Sequence, residues 1–290
     1  MASDTPRITE QGVATLPDAA WAQARHRTEI IGPLAALEVV GHEAADAAKA
    51  GRTPWILSHH KCAGPKNWGR TLETLALLDH MSKSQEVGLD AYPYNAGSTL
   101  LRTDLVDGVI QILITRSDPH PEMVGRYLAD IATQWNLSQQ EACLKLMPGG
   151  ACYFQMDEAD VRRVLQHPLT MIGSDGLPHD ERPHPRLWGA FARVLGHYAR
   201  DEKLFSLPQA IHKMTGLSAK RFGIQKRGVV KEGAFADLVL FDPMSIADKA
   251  TYEQPLQMCK GIHKVMVNGE WSFKNGQASS DRRGKFLMRF

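Results

Sequence analysis

Three times along this sequence a short apolar run stops abruptly in a polar cluster: Trp55-Ile-Leu-Ser58-His59-His60-Lys61, Gly88-Leu-Asp-Ala-Tyr92-Pro93-Tyr94 and Leu169-Thr-Met-Ile-Gly173-Ser174-Asp175. Runs this short and this apolar suit strands buried on both faces, as in parallel sheets. Around them, apolar residues recur at three- and four-residue steps, which predicts helices over Thr28 to Ala50, Trp68 to Ser84, Asp160 to Gln166, Arg186 to Arg200 and Leu207 to Lys213. Strand, polar end and helix in repetition is the build of a (β/α) barrel, whose chemistry collects at the C-terminal ends of its strands. About three such strands can be read here, against the eight that close a barrel. The expected fold class is therefore α/β, a part of a (β/α)8 TIM-like barrel.

Two segments break the alternation. Residues from about 96 to 155 form a long insertion carrying helical patterns at Pro121 to Trp135 and Ser138 to Leu146. From about residue 226 the character changes to short Val-rich runs, with Asn268-Gly269 offering a tight hairpin turn. The expected organisation is a poorly ordered leader over 1–26, a partial barrel over 27–225 with the inserted subdomain inside it, and a small β unit over 226–290.

Composition narrows the function classes. The 34 basic and 32 acidic residues leave a net charge of +2 and are spread along the chain, so no concentrated basic face is available for nucleic acid. No apolar run approaches the roughly 20 residues that cross a bilayer, and the first residues lack the basic start and apolar stretch of a secretory signal. The expected setting is cytoplasmic, without membrane or nucleic-acid partners. Cys62, Cys143, Cys152 and Cys259 are widely spaced and form no CxxC pair, so they read as mostly reduced thiols in cores.

The strand ends carry the candidate chemistry. At the first, the imidazole of His59 suits a zinc ligand and the Lys61 ammonium suits a carboxylate; a hydrogen-bonded histidine pair and a solvated lysine are the plain alternatives. Asp175 ends the third run between small residues, as a general base toward a metal-bound water or as a turn cap. Tyr92 offers a phenol to a carbonyl or oxyanion, or packs beneath the Asn95 to Thr99 loop. In His184-Pro185-Arg186, the guanidinium can grip a carboxylate bidentately or form a surface ion pair. Three consecutive strand ends bearing such groups point to an enzyme.

The stretches SHHKCAGPKNWGR, DAYPYNAGST, GSDGLPHDERPHPRLWG, RVLGHY, KMTGL, ADLVLFDP and VNG together resemble the D-aminoacylases, the N-acyl-D-amino-acid deacylases of the metal-dependent amidohydrolase superfamily. The similarity runs almost continuously from about Arg27 onward and assigns the chain to the C-terminal portion of that family. It implies a zinc-dependent hydrolysis of the amide of N-acyl-D-amino acids to a carboxylate and a D-amino acid. Position by position, it implies His59 as a zinc ligand, Asp175 as the general acid/base, and Lys61, Tyr92, Ser98 and Arg186 as substrate-binding residues. The insertion after YPY corresponds to the family's lid-like insert, and the tail to part of its β-sandwich.

The departures are informative. The family's N-terminal half, with its HxH strand and cysteine ligand, has no counterpart here, and a further ligand position falls near Arg25-His26-Arg27, where His26 is the candidate. The expectation is a truncated form with an incomplete Zn2+ site and reduced or no activity alone. The alternatives are a subunit completed by a partner supplying the N-terminal half or by a homo-oligomer, and a non-catalytic remnant that binds such a partner.

Overall fold

The computed structural model of the chain describes residues 54–176 and 182–287, all within one compact unit, Pro54–Phe290. The helix expected over Thr28 to Ala50, the leader and His26 lie outside the described residues. What is described is a mixed α/β architecture built on a three-stranded parallel sheet, β1 (Trp55–Leu57), β2 (Val87–Ala91) and β6 (Thr170–Ile172), in the order β1-β2-β6. Leu57 lies opposite Leu89, and Ala91 opposite Ile172. The strands therefore end level, and the residues that follow them, His59, Tyr92 and Asp175, emerge on one rim.

Helices cover this sheet where the periodicity places them. α1 (Thr71–Ser82) buries Leu75, Leu78 and Met81, starting three residues later than the pattern suggested because Pro65–Asn67 forms a separate 3-10 turn. α4 (Glu158–Gln166) buries Val161, Val164 and Leu165, and the Asp157 carboxylate accepts the backbone N–H groups of Ala159 and Asp160 at its start. Past β6, α5 (Arg186–Arg193) continues into π-helical turns over Val194–Asp201. Gly196 permits this packing, since a Cβ there would lie 2.4 Å from the Ile246 carbonyl oxygen. α6 (Leu207–Met214) fits the expectation, and α7 (Gly216–Phe222), not foreseen, follows at once.

Between β2 and β6 stands the insertion, which the sequence reading populated with helices only. It also holds a three-stranded antiparallel sheet of β3 (Gly97–Leu100), β4 (Ile112–Ser117) and β5 (Gly149–Tyr153), in the order β3-β5-β4. α2 (Leu128–Trp135) and α3 (Gln139–Leu146) accompany it, and Leu128, Ile131, Ala142 and Leu146 share a core with Ile112, Ile114 and Tyr153. The helix expected from Pro121 begins only at Leu128, after a 3-10 turn over Pro121–Met123. A capping box fixes the start of α3: the Ser138 hydroxyl accepts the Glu141 N–H, and the Glu141 carboxylate accepts the Ser138 N–H at 2.8 Å.

The tail is a four-stranded antiparallel sheet in the order β10-β9-β8-β7, from β7 (Leu238–Phe241), β8 (Ile262–Val267), β9 (Glu270–Lys274) and β10 (Gln277–Ala278). The expected turn joins β8 to β9, with Asn268 at φ 52° and Gly269 at φ 85°, the left-handed pair a tight hairpin requires. Leu238, Val239 and Leu240 are consecutive and all exposed, so both faces of β7 show apolar surface to solvent. Among the described residues no helix is long and apolar enough to cross a membrane. Cys62, Cys143 and Cys152 are buried and Cys259 is half-buried.

Candidate active site

His59 is placed on the rim by an unusual backbone. It adopts φ 53°, a left-handed conformation that a residue with a Cβ rarely takes, and its N–H donates to Asp90 Oδ1 at 3.0 Å. Gly173 on the neighbouring strand leaves room for that carboxylate, whose Oδ1 lies only 3.4 Å from where a Cβ would stand. The turn sends the two adjacent imidazoles in different directions. His59 is 44% exposed at the rim, whereas His60 is buried with its Nε2 2.9 Å from the Thr74 hydroxyl of α1. Burial, followed by the neighbouring Lys61 charge, lowers the His60 pKa to about 4, so its ring is neutral and structural.

Asp175 and Arg186 form the centre of the rim. Asp175 Oδ2 lies 2.8 Å from an Arg186 terminal nitrogen and 3.9 Å from His59 Nδ1. The Arg186 side chain is 3% exposed while that of Asp175 is 29% exposed, so a buried cation faces an anion that water can reach. The sequence alternative of a surface ion pair for Arg186 is thereby set aside. The guanidinium lies 4.4 Å from the Tyr92 ring centroid, and the Lys61 ammonium lies 5.6 Å from the same ring. Lys61 Nζ donates to the His59 carbonyl at 2.8 Å, and burial, then the Arg186 charge, lowers its pKa to about 8.

Several polar atoms here are buried without hydrogen-bond partners: Tyr92 Oη, Ser98 Oγ and Arg186 Nε. The Arg186 guanidinium is close enough to Tyr92 Oη to favour its ionised form, yet the geometry falls short of a hydrogen bond. Burial dominates and raises the Tyr92 pKa to about 12, which keeps the phenol protonated and able to donate at neutral pH. Ser98 reaches the group through the insertion: β3 carries it, and its carbonyl accepts from Arg186 at 3.4 Å. Buried donors without acceptors cost about 1–3 kcal/mol each unless something satisfies them. An anionic or carbonyl-bearing group placed against them would supply acceptors. A void of about 20 Å³, bordered by Lys61 and Tyr92 of this group and by His60, Cys62, Met156 and Asp160, has room for about one water.

His59, Lys61, Tyr92, Ser98, Asp175 and Arg186 thus converge. Sequence reasoning missed Asp90, which holds His59 in its turn, and His184, whose ring contacts both Ala96 and Arg186. A catalytic zinc takes three protein ligands and keeps one open position. His59 and Asp175 face one another, but among the described residues no group of three or more His, Cys, Asp or Glu side chains assembles. The described residues do not by themselves make up a metal site. Cys62, three residues after His59, is no substitute, because burial and then Asp160 push its thiol up to about 11.

The sequence profile of the amidohydrolase family matches residues 44–273. A D-aminoacylase from Alcaligenes xylosoxydans xylosoxydans is 51% identical over 236 residues, covering 81% of this chain and 49% of that protein. An N-acyl-D-glutamate deacylase from the same organism is 43% identical over 267 residues, covering 92% of this chain and 54% of its own length. Among solved structures, an N-acyl-D-glutamate deacylase from Bordetella bronchiseptica, complexed with zinc and a phosphonate mimic of the tetrahedral intermediate, superposes with a TM-score of 0.82 at 47% identity. That match covers 86% of this chain and 53% of the other. The chain spans about half the length of the relatives it matches.

Proposed function

The chain belongs to the amidohydrolase family, and from that premise we propose that it carries the substrate-carboxylate and general-base side of a zinc-dependent N-acyl-D-amino-acid deacylase. In this reading β1, β2 and β6 are three of the eight strands of a (β/α)8 barrel, the segment 96–155 is the inserted subdomain, and the sheet β7 to β10 belongs to a β-sandwich. The observation that carries it is the pairing of Asp175 with the buried Arg186 beside donors that have no acceptor. Arg186 Nε, Ser98 Oγ and Lys61 form the cradle for the substrate carboxylate. Tyr92 donates its phenolic hydrogen to the amide oxygen as negative charge develops there. Asp175 takes a proton from the attacking water at Oδ2 and returns it to the departing amine, with Arg186 holding the carboxylate in line.

Zinc supplies the acidification of that water where it is bound. His59 is the one residue among those described that would hold it. One ligand does not retain a catalytic zinc, so the described residues alone would not hold the metal or turn over substrate. Purified protein titrated with N-acetyl-D-methionine and its L-isomer, with amide hydrolysis followed in parallel, tests the reading. Binding of the D-isomer in preference supports it, and absence of binding by either isomer rejects it.

A second reading is favoured by the exposed apolar residues on both faces of β7 and by β1 and β6 each pairing, among the described residues, with β2 alone. Such surfaces invite cover by another polypeptide. A partner carrying the remaining half of the relatives' length, or a second copy of this chain, would provide it, and the chain would then act as a subunit or a binding remnant. Size analysis of the purified protein, with and without that polypeptide, separates these cases.

A further inference from the structure

His184 is fully buried, two residues before Arg186, and both of its ring nitrogens are engaged. Nδ1 lies 2.9 Å from the Arg186 backbone nitrogen. A backbone N–H can only donate, so Nδ1 accepts, the ring is neutral and its proton is on Nε2. From there it is donated to the Ala96 carbonyl at 2.9 Å. Burial, reinforced by the Arg186 charge, lowers the imidazole pKa to about 3, which agrees with a neutral ring. Tyr94 meets the ring at 5.2 Å and 89°, Tyr252 at 5.1 Å and 75° and Tyr92 at 6.2 Å and 60°, so three aromatic contacts fix its plane.

The two ends of the imidazole join distant parts of the chain. Arg186 opens α5, and its N-cap residue Pro185 provides no side-chain cap, so His184 supplies the acceptor for the first helical N–H. Ala96 immediately precedes β3, the strand that delivers Ser98. One ring therefore sets the spacing between the guanidinium and the insertion, the two sides of the carboxylate cradle. We propose that His184 is a positioning residue, whose Nδ1 end fixes Arg186 at the angle from which it takes the substrate carboxylate; this rests on the deacylase reading above.

Two substitutions divide the ring's functions. His184→Asn retains a short side-chain acceptor for the Arg186 N–H, while His184→Gln can reach the Ala96 carbonyl but leaves that N–H without an acceptor. Affinities of the full chain are measured calorimetrically for N-acetyl-D-methionine and for its decarboxylated analogue. The expected result is about a tenfold weakening of the carboxylate ligand in His184→Gln, a smaller change in His184→Asn, and no change for the analogue in either. Equal losses for both ligands would reduce His184 to a packing residue and overturn the inference while leaving the deacylase reading intact. Binding of neither ligand by the unsubstituted protein sinks the deacylase reading, and the inference with it. An arm that needs no variant to fold is nitrogen-15 NMR of the unsubstituted protein. An Nε2–H tautomer with coupling from the Arg186 amide to Nδ1 supports the inference, and an Nδ1-protonated ring overturns it.

Discussion

Replacing Arg186 by Met removes a cation while keeping an unbranched chain in its buried slot. Two consequences can be sized separately. The ion pair to Asp175 breaks, but Asp175 is 29% exposed and can recover water, so the stability loss is about 1–2 kcal/mol rather than the 3–5 kcal/mol of a wholly buried pair. The cradle loses its fixed donors, including the unpartnered Nε, and a charge-assisted hydrogen bond is worth about 1.5–3 kcal/mol. That corresponds to about a ten- to hundredfold weaker affinity for N-acetyl-D-methionine. Calorimetric titration reads the affinity and urea denaturation reads the stability. Arg186→Lys, which keeps the charge but not the planar fork, is expected between the two. Unchanged affinity in a folded Arg186→Met protein refutes the assignment, as does an equal loss on the decarboxylated analogue.

Other perturbations probe the supports. Asp160 is a buried carboxylate accepting the Gly69 N–H at 2.6 Å, the Thr71 hydroxyl and Arg163 at 2.5 Å. Asp160→Ala is therefore expected to cost about 3 kcal/mol in urea unfolding, and a change under about 1 kcal/mol would show that these bonds do not brace α1 against α4. Lys213 is buried, and desolvation lowers its pKa from 10.5 to about 8 even though Nζ donates to the His167 carbonyl. Between those two pH values the unfolded chain holds the proton and the folded one does not, so this contribution to stability rises with pH from about 8 to 10.5. Unfolding free energies across that range should lose the slope in Lys213→Met. Asn268 turns β8 into β9 at φ 52° and donates through its side chain to the Arg283 carbonyl at 2.7 Å. Asn268→Ala is expected to cost about 1–2 kcal/mol, with faster hydrogen exchange confined to β8 and β9; exchange spread over the whole chain would argue against a local effect.

The sequence disclosed the parallel strands because burial on both faces leaves a continuous apolar run, and it disclosed their chemistry because His59, Tyr92 and Asp175 follow those runs directly. It showed β4 as the branched run Ile112-Leu-Ile-Thr, which the helical reading of the insertion passed over, and it concealed β3 and β5. Gly97–Leu100 and Gly149–Tyr153 contain glycine, serine and cysteine where a strand pattern calls for branched or aromatic residues, and their pairing is tertiary. His184 was legible only as the neighbour of Arg186. Its function depends on meeting Ala96, 88 residues away, and no local pattern encodes that contact. Likewise His59 and His60 are equivalent in the sequence, and only the left-handed turn at His59 assigns one to the rim and the other to α1. Convergence at a strand end follows from topology and can be anticipated; which atoms are left unsatisfied there depends on packing and cannot.

In the proposed reading, this chain contributes the carboxylate and general-base side of a hydrolytic site, with His59 as one metal ligand and the others among residues beyond those described. Zinc content and hydrolysis of N-acetyl-D-methionine, measured on the purified chain alone and after mixing with a polypeptide equivalent to the remaining half of its relatives, test that claim most directly. The account predicts little bound zinc and little turnover alone, with both appearing on mixing and with selectivity for the D-isomer. One tightly held zinc per chain, with D-selective turnover by the chain alone, would contradict it.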